Sequence, residues 1–133
     1  MEKKKNSRII RHWLSYPFIW VVLLPLFILD VFIEIYHRIC FPLFGIPIIK
    51  RRQYIRIDRH KLKYLDWLDK IGCVYCGYAN GLLLYASVIT AETERYWCGI
   101  KHQPGDGFIE PKHHADFAEY NNEDEYKSKY IPR

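Results

Sequence analysis

The chain has 133 residues, half of them hydrophobic and 17% aromatic, and its formal net charge is +5. This length is enough for one small domain, and the aromatic content excludes a chain that is disordered throughout. The positive charge lies mainly in the first 63 residues, whereas the tail after His102 is net acidic. Because the basic clusters border an apolar run, they favour anionic lipid over nucleic acid as a partner.

The first predicted element is a membrane anchor within residues 1–49. Its central run, WLSYPFIWVVLLPLFIL at residues 13–29, contains no charged side chain. This length is near the minimum for crossing the hydrocarbon core. Basic residues precede the run and Asp30 follows it, so no small-residue cleavage site is present. We therefore expect an uncleaved helical segment inserted in the membrane.

Two topologies are compatible with this anchor. Both flanking segments, residues 3–11 and 50–63, are basic, and a single crossing would place one of them on the wrong side of the membrane. A re-entrant hairpin that bends near Pro25 satisfies both flanks. The alternative is a single span followed by an interfacial helix. Prolines and glycine within residues 42–47 predict a break in any helix there.

Charged residues within the apolar segment form one candidate site. Asp30, Glu34, His37 and Arg38 are spaced so that they share one face of a helix. Glu34-x-x-His37 has the spacing found in di-iron carboxylate helices, and a homodimer could supply two such motifs. Alternatively, the acids pair with Arg38 or with neighbouring cations, which makes the charged face tolerable near lipid.

A basic amphipathic linker is predicted for residues 50–70. Asp58 is a plausible N-cap for a short helix whose apolar side includes Leu62, Leu65 and Leu68. The linker is either a docking surface for lipid phosphates or a partner, or a solvated connection.

The next predicted element is a metal-binding module at residues 71–103. CVYCGYANG contributes Cys73-x2-Cys76, and YWCGIKH contributes Cys98-x3-His102. Three thiolates and one imidazole form a common structural zinc set, so the sequence predicts a tetrahedral Cys3His site. The alternative is that the cysteines are buried thiols or a redox pair.

A helix is expected between the two ligand pairs, with Asn80 as its cap and its first turn near Gly81. Gly77 is expected to give backbone freedom beside a ligand. Metal ligation rather than disulfide formation favours a reducing compartment. We therefore expect the module on the cytoplasmic side of the cell inner membrane.

The remaining residues, 104–133, are predicted to be an acidic polar tail. His113 and His114 are adjacent, and adjacent side chains point in different directions on most backbones. The sequence therefore predicts a solvated segment rather than a metal site here. Tyrosines in the tail could lay it over the basic linker.

Two resemblances accompany these motifs. CVYCGY resembles the first iron knuckle of rubredoxins, and YWCGIKH is similar to the second, with His102 in a shifted position. Together with YHRIC and IDRHKL, these motifs also resemble a family of small bacterial membrane proteins. That second resemblance implies a membrane-associated module and no particular activity.

The sequence as a whole predicts a mainly α-helical, membrane-associated protein whose structural zinc supports an adaptor or accessory subunit. Its expected partners are membrane lipid and a membrane protein, and no nucleic acid. One alternative is a rubredoxin-like iron electron carrier for a membrane oxidase or desaturase. The other is a membrane metalloenzyme that uses Asp30, Glu34 and His37.

Overall fold

The structure is a computed structural model that describes residues 2–130, with side chains from residue 7 onward. It divides into two compact units, Met1–Ala86 (unit 1) and Ser87–Arg133 (unit 2). The α-helices are α1 (Glu2–Phe44), α2 (Trp67–Trp97) and α3 (Glu123–Tyr130), and α2 contributes to both units. Short 3-10 helices occur at Arg51–Gln53, Arg59–Lys61 and Lys112–Asp116. The prediction of a mainly helical chain is confirmed.

Helix α1 is continuous from Glu2 to Phe44 and contains Pro17, Pro25 and Pro42. The chain therefore does not turn back at Pro25, so the predicted bend is wrong. A proline removes one backbone hydrogen bond and does not end a helix when packing and apolar surroundings favour its continuation. Both α1 and α2 are long and apolar enough to cross a membrane by length and composition.

The end of α1 is set by a glycine rather than by the nearby prolines. Gly45 has a φ of +71°, the left-handed conformation typical of a helix C-terminus. Its N–H donates to Pro42 O at 3.2 Å, and Ile46 N–H donates to Phe41 O at 2.9 Å. The predicted break lies in the right region, but the helix continues through Pro42 before it ends.

Helix α2 begins at Trp67, well before the start predicted near Gly81. The stretch CVYCGYANG is therefore helical along its whole length. Asn80 does not cap a helix, because its side-chain amide donates to Cys76 O one turn earlier at 3.0 Å. The helix predicted from Asp58 is also absent, since residues 59–61 form only a 3-10 turn and Asp58 makes no side-chain cap.

Within unit 1, α1 and the first part of α2 run in the same direction. The Tyr75 hydroxyl donates to Ile19 O at 2.9 Å, and the Tyr85 hydroxyl donates to Glu34 at 3.1 Å. Contact positions thus advance together along both helices. Parallel neighbouring helices require a connection that returns along their length, and residues 46–66 provide it.

This connector runs back beside α2, and two glycines allow its close approach. A Cβ atom on Gly77 would lie 2.9 Å from Arg56 O, and one on Gly81 would lie 2.7 Å from Tyr54 O. Both distances are too short for a real side chain. The glycines one turn apart in CGYANG therefore admit the connector backbone.

The largest buried side chains define a core in each unit. In unit 1 they are His37, Phe41, Leu82 and Tyr85. In unit 2 they are Ile89, His114 and Phe117. The prediction that the tail is a solvated segment is therefore wrong around residues 113–118, where apolar packing holds the chain.

Candidate functional sites

The first candidate is the polar cluster of Asp30, Glu34 and His37 on α1. Arg51 from the connector binds Asp30 with both terminal nitrogens, one of them at 2.7 Å from Oδ2. The Tyr78 hydroxyl donates to the same oxygen at 2.7 Å. The carboxylate of Asp30, whose side chain is only 14% exposed, is thus neutralised by a cation from a different element.

Glu34 and His37 are joined through Tyr85. Ile49 N–H donates to His37 Nε2 at 3.0 Å, so the neutral ring carries its proton on Nδ1. That proton faces the Tyr85 oxygen at 3.0 Å, and the Tyr85 hydroxyl donates to Glu34. Arg38 completes the group by donating to Glu34 at 2.7 Å.

These contacts confirm that the acids of α1 pair with Arg38 and with a neighbouring cation. Both nitrogens of the buried His37 ring are also occupied by protein groups. The cluster therefore ties the connector and α2 to α1. Its use as a metal or catalytic site stays a prediction.

The residues of the predicted Cys3His site lie in different units. Cys73 and Cys76 are within α2 in unit 1, whereas Cys98 directly follows α2 and His102 lies in a loop of unit 2. The cysteines are free, with Cys73 half-buried and Cys76 and Cys98 exposed. Because residues 73–76 are helical, they do not form the turn expected of a metal knuckle. The four-ligand site remains a prediction.

The second candidate is a cluster of Glu94, His113 and His114 in unit 2. His113 Nε2 lies 2.7 Å from Glu94 Oε2, and His114 Nε2 lies 3.2 Å from each Glu94 oxygen. The three potential ligand atoms lie within 4.8 Å of one another. Among the residues that the structure describes, this is the group whose geometry suits a metal ion.

A short 3-10 helix explains how adjacent histidines converge on one carboxylate. Lys112–Asp116 follows Pro111, whose extended backbone directs the chain into the turn. His114 is fully buried and stacks on Phe117 with ring centroids 4.7 Å apart. The His113 ring meets His114 edge-on at 4.6 Å. The expectation that these side chains point in different directions is therefore wrong.

The charge of Glu94 is maintained by the two histidines. Burial raises the pKa of this carboxyl, but hydrogen bonds with His113 and His114 outweigh that effect, so the pKa lies below its usual value. The group is thus a carboxylate near neutral pH. A carboxylate beside two imidazoles is a donor set that zinc accepts.

Of the sequence-predicted ligands, His102 lies next to this cluster. Its ring centroid is 5.5 Å from that of His114 and 5.4 Å from that of Phe108. His102 also lines a cavity of about 240 Å³ together with Phe108, Glu110 and Glu119. The imidazole is exposed and is not among the groups whose ligand atoms lie within 4.8 Å of one another, so it borders the cluster.

Comparisons with known proteins do not identify a relative of this chain. No protein-family model matches the chain, and no curated protein or solved structure is significantly similar to it. The resemblances to rubredoxins and to small bacterial membrane proteins therefore stay predictions.

Proposed function

We propose that this is a membrane accessory protein in which α1 lies in the plane of the bilayer. The observation that carries this proposal is a continuous exposed apolar face on α1. It comprises Leu14, Val21, Ile28, Phe32, Ile39 and Leu43, which are 49–77% exposed. An apolar face of this length is unfavourable in water and favourable in lipid.

The polar cluster lies on the other side of α1 from this face. At 3.6 residues per turn, Asp30 and Phe32 project about 160° apart around the helix. Asp30 faces the connector through Arg51, while the Phe32 side chain is 68% exposed. Around residues 30–37, helix α1 therefore has a lipid-compatible side and a protein-covered side, as expected for a helix lying in the membrane interface.

The parallel course of α1 and α2 argues against two membrane crossings. Two spans in the same direction would require the connector to cross the bilayer between them. The connector is largely irregular, and its Arg52 and Arg56 side chains are exposed. Irregular backbone and unpaired charge are both costly in hydrocarbon, so an in-plane position is more favourable.

The exposed cations of the connector suit an anionic membrane surface. They are Arg52, Arg56, Arg59, Lys61 and Lys63. In the described part of the chain, no ion pair to a carboxylate occupies these side chains. Each can therefore attract lipid phosphate. Under the positive-inside rule, these cations support the proposal that the protein lies on the cytoplasmic face of the inner membrane.

The test is a change of the apolar face to a polar one. The triple variant Val21→Gln, Ile28→Gln, Phe32→Gln should lose flotation with vesicles that contain anionic lipid, because immersion would bury three amides. Ile109→Gln is the matched control, since Ile109 is 89% exposed but lies in unit 2. Unchanged flotation of the triple variant would contradict the proposal.

A second measurement distinguishes an α1 that lies in the membrane plane from an α1 that crosses the membrane. Protease sites inserted before Ser7 and within the connector at His60 should be cleaved from the same side of sealed vesicles. Cleavage from opposite sides would show that α1 crosses the membrane. If the triple variant instead stays in membranes and loses dimerisation, the apolar face is an interface between copies and the proposal is wrong.

A further inference from the structure

We infer that Glu94, His113 and His114 form a binding site for a divalent transition metal, with Zn²⁺ as the preferred ion. This inference does not depend on the membrane proposal, because the three residues lie in unit 2. It also differs from the predicted Cys3His site, with which it shares no residue.

The spacing of the donor atoms is close to that of a zinc coordination shell. Zinc bonds to imidazole nitrogen and carboxylate oxygen of about 2.0–2.2 Å place tetrahedral ligand atoms about 3.3–3.5 Å apart. His114 Nε2 is 3.2 Å from both Glu94 oxygens, and His113 Nε2 is 2.7 Å from one of them. The His113–Glu94 distance is about 0.6–0.8 Å shorter than this spacing, so the His113 side chain moves outward by that amount when the metal binds.

His114 is held in the orientation that the site requires. Its side chain is 1% exposed and its ring stacks on Phe117. Within residues 7–130, its Nδ1 has no hydrogen-bond partner, so Nε2 makes the ring's polar contact with Glu94. Because packing already fixes this ring, metal binding loses little further side-chain entropy.

The ligand set leaves one coordination position open. Two imidazoles and one carboxylate supply three protein ligands, which is typical of zinc sites that keep a fourth position for water. The charge also fits, since one carboxylate and two neutral imidazoles meet a dication.

The experiment uses the full chain in detergent after treatment with a chelator. Co²⁺ serves as the optical probe and is then displaced by Zn²⁺. We expect one equivalent of Co²⁺, with visible d–d bands and no thiolate-to-cobalt charge-transfer band, because no cysteine belongs to the site. Glu94→Gln and His113→Ala should each lower the Zn²⁺ affinity at least about tenfold.

His102→Ala is the matched control, since it removes an imidazole next to the cluster that is not a ligand. Its affinity should equal that of the unchanged protein. Glu94→Gln preserves side-chain shape and His113 is 25% exposed, so both variants should fold, which circular dichroism would verify. The buried His114 is left intact.

Two results would overturn the inference. One is that no stoichiometric metal binds, or that Glu94→Gln and His113→Ala leave the affinity unchanged. The other is a thiolate charge-transfer band that disappears in Cys98→Ser together with loss of binding in His102→Ala. That second result would establish the Cys3His site instead.

Discussion

Gly77 and Gly81 allow close helix packing, a role that is not evident from their position near Cys76 in the sequence. Next to a cysteine pair, a glycine is naturally interpreted as a source of backbone freedom at a metal site. In the structure both residues are helical, and each lies against the connector backbone. The missing Cβ atoms therefore allow two segments of unit 1 to approach closely.

Gly81→Ala should lower the free energy of unfolding by up to about 2 kcal/mol. Alanine favours a helix over glycine by about 1 kcal/mol, but overpacking costs about 1–3 kcal/mol. Here the new Cβ would lie 2.7 Å from Tyr54 O and 2.8 Å from Ile55 Cα, and backbone atoms cannot move aside cheaply. Urea unfolding in micelles would measure the change.

Gly72→Ala is the control on the same helix, because a methyl group added at Gly72 would have no neighbouring atom within 4 Å. It should stabilise the protein by up to about 1 kcal/mol through helix propensity alone. Equal stabilisation by both substitutions would mean that the connector does not pack against α2.

Arg51→Ala should destabilise unit 1 by about 1.5–3 kcal/mol, because it leaves a poorly solvated carboxylate without its charged partner. Asp30 would keep only the Tyr78 hydroxyl at 2.7 Å. Adding Asp30→Asn should recover part of the loss, since it removes the unpaired charge. Arg52→Ala changes an exposed neighbour and should alter the stability by no more than about 0.5 kcal/mol. Chemical unfolding of these three variants and of Asp30→Asn alone tests this coupling, and additive effects of Arg51→Ala and Asp30→Asn would contradict it.

At the scale of elements, α3 shows that a polar tail can contain a local signal for the start of a helix. Asn122 Oδ1 accepts the Glu125 N–H at 3.1 Å, as an N-cap residue does three positions before its partner. Glu125 in turn accepts the Glu119 N–H at 3.0 Å. The Asn-x-x-Glu spacing is present in the sequence, but no helix was predicted there because the tail lacks a helical repeat of apolar residues.

The stability of α3 should depend on pH through Glu125. Hydrogen bonds from Lys129 and from the Glu119 N–H lower the pKa of this carboxyl below its usual 4.5. A lowered folded-state pKa contributes stability that is present above pH 4.5 and is lost as the pH falls through the folded value. Protection factors of the α3 amides should therefore decrease in acid.

Glu125→Gln should abolish most of this pH dependence and lower the protection already at neutral pH. Glu123→Gln is the control, since Glu123 is 74% exposed and pairs only with Lys127 one turn away among its described contacts. A pH dependence that survives in Glu125→Gln would assign the effect to another group.

At the scale of the whole molecule, the parallel course of α1 and α2 within unit 1 is the decisive feature. Hydropathy alone makes both helices candidates for membrane spans. Contacts such as Tyr75 with Ile19 instead show that the helices point the same way and that a basic connector returns between their ends. The in-plane position that we propose for α1 accommodates this path without taking the connector through the bilayer.

Several features were determined by the sequence alone, because each depends on a local pattern. They include the helical class, the apolar character of α1 and the pairing of Glu34 with Arg38 one turn away. The pairing of Asp30 with Arg51 is not among them, because Arg51 lies on a different element. Composition predicts the lipid compatibility of a segment, and the spacing of nearby residues predicts which of them share a helix face. Neither prediction requires knowledge of distant parts of the chain. The end of α1 near Gly45 belongs to the same group.

Only the tertiary structure decided where α2 begins, why Gly77 and Gly81 are needed, and which histidines converge. Each depends on residues far apart in the chain: the connector lies against the glycines, and His113 and His114 meet Glu94 from 19 and 20 residues away. The spacing of residues along the sequence does not predict these long-range contacts. The contacts of the histidines with Glu94 depend on loop geometry and on the burial of Phe117. The cysteine motif was conspicuous locally, whereas the histidine cluster exists only once unit 2 has packed.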